Sequence, residues 1–289
     1  MTELKQHLVA IVGETASGKT SLAIKIAKKF NGEIISADSR TIYRGMDIGT
    51  AKPSKEEMQG IAHHGFDLVE PDEKYSAAQF KSYATDKIED IQKRGKLPVL
   101  VGGTGLYVDG VLFNYSFGGE FSEKQRSELN NNTVDELATI AQNMGLEISS
   151  QTLKNKRHLI RLIERKGKSE DHNVLFYNTL IIGVKVSKNV LRKRIEQRTE
   201  LMFKKGLRKE YNELRTKFDT NSEAFTGIGY REFLDWEAGD ASMSDVKRHI
   251  VRNTMGLAKK QRTWFKRNTN IVWVDNENEA TALVAEFLA

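Results

Sequence analysis

The apolar run Leu8-Val9-Ala10-Ile11-Val12 leads straight into Gly13-Glu14-Thr15-Ala16-Ser17-Gly18-Lys19-Thr20, a complete G-x-x-x-x-G-K-[ST] phosphate-binding loop. Consecutive apolar residues suit a strand buried on both faces, and Leu22, Ile26 and Phe30 follow at helical spacing. A strand, a glycine turn and a helix N-terminus are therefore expected around one anion, with backbone N–H groups aimed at phosphate oxygens. Gly13, Glu14, Thr15, Ala16, Ser17, Gly18, Lys19 and Thr20 form the candidate diphosphate- or nucleotide-binding site. Within it Lys19 adds a point charge, and the Thr20 hydroxyl is the expected ligand for Mg²⁺.

The alternation of strand and helix continues. Residues 33–37 read as a second strand ending at Asp38, 76–94 as a helix capped by Ser76, and 97–101 as a buried strand closed by Gly102-Gly103-Thr104-Gly105. This pattern predicts an α/β fold of the P-loop NTPase kind, a parallel sheet flanked by helices. Ligands in such folds sit at the carboxyl ends of strands, which gathers the loop, Asp38 and the glycine turn into one pocket. From 120 to 173 strands vanish and short amphipathic patterns take over, including Leu129, Val134, Leu137, Leu159, Leu162 and Ile163. A small all-helical insertion domain is expected there, hinged near Gly118-Gly119 and Asp171-His172-Asn173. It divides a core made of 1–119 and 174–289. The second core part is expected to hold a strand over 179–186, a long helix over 189–218, another over 244–267, a strand over 270–274 and a closing helix.

Composition narrows the setting. The 289 residues are 39% hydrophobic and 29% charged, with no cysteine, as in a soluble globular chain. No apolar stretch reaches membrane-spanning length. Residues 1–6 lack the regions of a signal peptide, so a cytoplasmic protein with no membrane association is expected. Without thiolates, and with His63-His64 lacking zinc-type spacing, no transition metal is expected and the two histidines read as structural or exposed. The net charge is +6. Basic residues crowd 154–168, 192–215 and 247–267, which together favour a nucleic-acid partner over three merely solvated helix faces.

Phosphate loops serve kinases, NTPases and transferases alike. Asp38, at a strand end facing the loop, reads as a general base, as an outer partner of Mg²⁺, or as a capping aspartate. A small-molecule kinase or NTPase, an enzyme acting on free adenine nucleotide, and a non-catalytic nucleic-acid binder all remain open on these residues alone.

The run from Ile35-Ser36-Ala37-Asp38-Ser39-Arg40-Thr41-Ile42-Tyr43-Arg44-Gly45-Met46 to Pro53, taken with the phosphate loop, closely resembles the tRNA dimethylallyltransferases. Matches continue through Asp67-Leu68-Val69-Glu70-Pro71, Val99 to Tyr107, Arg194-Ile195 with Arg198, Gly227-Ile228-Gly229-Tyr230 and Ala258 to Phe265. The resemblance covers nearly the whole chain and is weakest in the insertion. It implies transfer of a dimethylallyl group from its diphosphate to N6 of the adenosine beside the anticodon, with Mg²⁺; separately, a monomer is expected, although no residue pattern marks the oligomeric state. It implies Asp38 as general base, Lys19, Thr20 and Arg198 on the departing diphosphate, and Asp38, Ser39, Arg40, Thr41, Thr104, Arg126, Arg157 and Arg161 as contacts to the tRNA anticodon stem-loop. Lys259, Lys260, Arg262 and Lys266, beside Trp264 and Phe265, are a further candidate phosphate-binding face, though aromatics at this spacing more often pack in a core. The chain departs from the family pattern at Glu14, where proline is usual, at Thr41 in place of glutamine, and at Met255 and Lys260 in place of arginine. Glu14 is expected to point outward, away from the anion.

Overall fold

The computed structural model describes residues 7–117, 123–164, 166 and 174–289, so both expected hinges lie outside the described residues. Strands β1 (His7–Val12), β2 (Gly32–Ala37), β3 (His63–His64), β4 (Leu97–Gly102), β5 (Asn178–Val184) and β6 (Ile271–Val274) form one parallel sheet in the order β3-β2-β4-β1-β5-β6. Register fixes what can meet at its carboxyl edge. Val12 pairs with Gly102 on one side and with Gly183 on the other, while Ala37 also pairs with Gly102. The phosphate loop, Asp38 and the Gly102–Gly105 turn thus leave the sheet side by side.

The helices are α1 (Lys19–Lys29), α2 (Ala77–Lys93), α3 (Gly105–Leu112), α4 (Glu123–Asn131), α5 (Val134–Asn143), α6 (Ser150–Leu153), α7 (Lys156–Glu164), α8 (Lys188–Lys205), α9 (Leu207–Arg215), α10 (Glu232–Glu237), α11 (Met243–Phe265) and α12 (Glu277–Leu288). Local chemistry sets several starts. Ser76 with Gln79 and Ser242 with Asp245 form reciprocal capping boxes ahead of α2 and α11, each satisfying two otherwise orphaned N–H groups. The single helix expected over 189–218 is broken. Gly206 adopts φ +100°, ending α8 and starting α9, a conformation open to glycine and costly for other residues.

The chain divides into two compact units, one ending at Leu112 and resuming at Leu175, the other spanning Phe113–Val174. In the first, Val9, Ile11, Ile26, Ile34, Val99 and Ile182 bury the interface of sheet and α1. A second cluster joins α8–α11 to the segment after β2 through Tyr43, Met46, Tyr211, Phe225, Tyr230 and Phe233. The other unit is helical in its described residues, built on Leu129, Leu137, Ala141, Leu159, Ile160 and Ile163. Among the described residues, no helix is long and apolar enough to cross a membrane.

Candidate active site

The cavity above the sheet, about 570 Å³, is lined among others by Lys19, Thr20, Asp38, Thr41, Arg194 and Arg198. Its floor is the phosphate loop. Gly18 sits at φ +97° immediately before α1, turning the chain so that the helix starts at the anion site. Ser17 N donates to Glu14 O and Leu22 N to Gly18 O, while the N–H groups of residues 18–21 find no acceptor among the described residues. Such orphan donors at a helix N-terminus form a site for an anion. The Ser17 hydroxyl is buried and also lacks a partner.

Lys19 folds back, its Nζ donating to Glu14 O at 3.2 Å. Burial pushes its ammonium down to about 8, with the Arg198 charge adding to the effect and Asp38 opposing it. Arg198 reaches in from α8 and donates from Nη2 to Thr15 Oγ1 at 3.0 Å. Burial also lowers this guanidinium, again against the pull of Asp38. Two partly desolvated cations beside unused amides favour a multiply charged anion, which would relieve both.

Asp38 extends from the end of β2. Its Oδ1 accepts from Arg40 N at 2.9 Å, leaving Oδ2 without a hydrogen bond among the described residues. Thr104 stitches this turn to the one after β4: its N donates to Ala37 O at 3.2 Å, and its Oγ1 accepts from Ser39 N at 3.0 Å. Arg40 stretches to Glu223 O at 2.8 Å. Thr41 is buried, with its hydroxyl between Asp38 O and Ser36 Oγ. Of the other residues singled out above, Arg126 lies on α4, 3.5 Å from Glu164, and Arg157 and Arg161 lie on α7, all in the helical unit.

Two expectations change. Glu14 does not point outward: it is buried and gripped by the Arg262 guanidinium through Nε to Oε1 and through Nη2 to Oε2 at 2.9 Å. Arg262 is therefore not part of an open phosphate-binding face, although Lys259, Lys260 and Lys266 remain exposed. Phe265 is fully buried, and Trp264 donates from Nε1 to Asp109 Oδ2 at 2.7 Å, so the aromatic pair serves the core.

Several supports carried no assigned role at the level of sequence. Arg194 donates to Ser17 O at 2.8 Å and holds the loop from behind. Its spacing of four from Arg198 puts both on one face of α8, a signal available in advance. Gln261 accepts from Thr15 N at 2.7 Å and donates to Gly103 O at 3.0 Å, so the Thr15 amide serves α11 and not the anion. Glu210 accepts from the N–H groups of Asp47, Ile48 and Gly49 and from Tyr230 Oη, fixing the segment whose Thr50, Ala51 and Pro53 wall the cavity. His64 pairs with Glu33 at 2.8 Å, a structural use. The basic groove between α8 and α11 is partly spent on its own acids, since Arg192 meets Glu196 and Lys247 meets Glu200.

The family model described as IPP transferase matches residues 41–268, and that described as isopentenyl transferase matches 6–67. The tRNA dimethylallyltransferase of Staphylococcus epidermidis is 38% identical, the match covering 99% of this chain and 92% of the relative. That of Bacillus subtilis is 38% identical over 95% and 92%. Among solved structures, the tRNA isopentenylpyrophosphate transferase of Bacillus halodurans superposes with a TM-score of 0.78 at 36% identity, covering 98% of this chain and 97% of that one. A eukaryotic dimethylallyltransferase captured acting on tRNA superposes with a TM-score of 0.83 at 25% identity, covering 98% and 79%.

Proposed function

The chain belongs to the IPP transferase family, and on that premise we propose that it moves a dimethylallyl group from dimethylallyl diphosphate to N6 of the adenosine beside the anticodon of a tRNA, releasing diphosphate. The observation that carries this reading is that Lys19, Arg198, Asp38 and the unused N–H groups at the start of α1 all belong to one cavity.

Breaking the allylic C–O bond builds positive charge on carbon and negative charge on the departing diphosphate. Stabilising that leaving group is the main electrostatic task, and donors preorganised in a buried site do it without rearranging. Lys19, Arg198 and the start of α1 supply those donors. The adenine amino group is a weak nucleophile that sheds a proton as the new C–N bond forms. Asp38 Oδ2 is the acceptor for that proton, while Oδ1 holds the carboxylate in place through Arg40 N. Val101, Ile34 and Phe66 give the cavity its apolar wall, which suits a five-carbon chain and excludes water from the carbocation.

The donor set also fits Mg²⁺. Among the described residues no cluster of three acidic or histidine side chains exists, so Thr20 would hold the ion with phosphate oxygens and water completing the shell, the usual manner for this metal. When bound it supplies further neutralisation of the diphosphate.

A base beside the anticodon is stacked in its loop and has to be splayed out to enter a pocket. Thr41 lines the cavity, and Ser39, Arg40 and Thr104 stand in the turns next to Asp38; these residues would receive that base, and Arg126, Arg157 and Arg161 of the helical unit would contact the anticodon stem-loop. Incubation with labelled dimethylallyl diphosphate and either an unmodified anticodon stem-loop or free AMP tests the reading. Label in N6-dimethylallyladenosine of the stem-loop supports it, and label only in AMP removes the tRNA substrate.

A further inference from the structure

We propose that Glu14 and Arg262 are a positioning pair, in which Arg262 cancels a carboxylate built into the phosphate loop and so keeps the loop able to take an anion. This rests on the reading of that loop as the diphosphate site. Glu14 stands inside a loop whose remaining chemistry attracts negative charge, and it is 9% exposed. An unpaired carboxylate there would repel the diphosphate and bear its own desolvation cost. The Arg262 fork meets both carboxylate oxygens, the bidentate arrangement that fixes position as well as charge. Beside it, Gln261 accepts from Thr15 N and donates to Gly103 O. Two consecutive residues of α11 therefore hold two consecutive residues of the loop, and one of them also holds the turn after β4.

The pair also bears on Lys19. The backbone carbonyl of Glu14 accepts from Lys19 Nζ at 3.2 Å, so a displaced Glu14 takes with it the contact that seats the ammonium. With Arg262 paired to Glu14, Lys19 and Arg198 face the ligand without that carboxylate competing. Without Arg262, the Glu14 carboxylate competes for them.

The test is titration of the full-length protein with inorganic diphosphate by calorimetry, with circular dichroism confirming that each variant is folded. Arg262→Ala is expected to weaken diphosphate binding roughly 10- to 100-fold at low salt, the scale of one uncompensated charge several ångströms from a multiply charged anion in a partly screened site. The KM for the allylic donor should rise with it while kcat changes far less. Adding Glu14→Gln to Arg262→Ala removes the repelling charge and should recover most of the loss, although the arginine is still absent. A double variant that binds no better than Arg262→Ala would show the arginine to be merely a packing element and overturn the proposal. Binding by Arg262→Ala equal to that of the unaltered protein would also overturn it. Charge rescue without any carbon transfer would support the pair while removing the transferase reading. An unaltered protein that binds no diphosphate would remove both.

Discussion

Arg198 donates from α8 to the Thr15 hydroxyl at 3.0 Å, placing a guanidinium inside a loop that lies 183 residues earlier in the chain. The contact makes α8 part of the proposed diphosphate site. Replacing Arg198 with Ala should remove one charged donor from the departing diphosphate and lower the rate of transfer by about two to three orders of magnitude, as for loss of a preorganised transition-state donor. Single-turnover transfer with saturating donor is the measurement. A change confined to KM would assign Arg198 to ground-state binding.

Lys19 gives a pH signature of two opposite signs. Burial lowers its ammonium from 10.5 to about 8, so between those values the unfolded chain holds a proton that the folded protein has released. Stability of the ligand-free protein should therefore rise with pH across that window through this group. Diphosphate binding favours the charged form, so affinity should fall as pH climbs above about 8, by at most about tenfold per unit. Lys19→Met should remove this group's contribution to each slope, read as the difference from the unaltered protein. Melting curves and diphosphate titrations at pH 7 to 10 read the two effects separately.

Asp38 has one oxygen engaged by Arg40 N and one without a hydrogen bond among the described residues, the atom proposed as base. Asp38→Asn keeps an acceptor for the turn and removes the base. Transfer should drop by about two to four orders of magnitude, the usual worth of a positioned base, with stem-loop affinity retained. Equal loss of binding and rate in gel-shift and single-turnover assays would make Asp38 a turn residue only.

Glu210 gathers three backbone N–H groups and the buried Tyr230 hydroxyl. Glu210→Ala strands these donors and should cost about 3 kcal/mol of stability, since each buried unpaired donor is expensive. Denaturant midpoints measure it, and Glu210→Gln, which keeps one acceptor, should recover part of the loss.

Much of the core could be read from local pattern. The buried runs at Leu8–Val12 and Val99–Val101 and the cap at Ser76 declare themselves because each signal lies within a few residues. The break at Gly206 was hidden because Leu207, Tyr211 and Leu214 keep the helical spacing of α8 going and bury in the same cluster, and only the backbone angle reveals the turn. Glu14 misled for a different reason. A charged side chain in a surface-type loop is ordinarily solvated, and its partner lies 248 positions away on α11. The roles of Gln261 and Glu210 were likewise illegible, since each acts on the backbone of a distant segment and nothing local marks such a contact, whereas Arg194 had the four-residue spacing from Arg198 to mark it.

In the proposed reaction the phosphate loop holds a leaving group, and carbon moves to the acceptor. Dimethylallyl diphosphate carrying ¹⁴C in the allyl group and ³²P in the diphosphate tests this directly against an unmodified tRNA. The expected result is ¹⁴C in the tRNA adenosine matched one for one by ³²P released as intact diphosphate. Label from ³²P in the tRNA, or its release as orthophosphate, would mean that phosphorus is the atom attacked and would contradict the account.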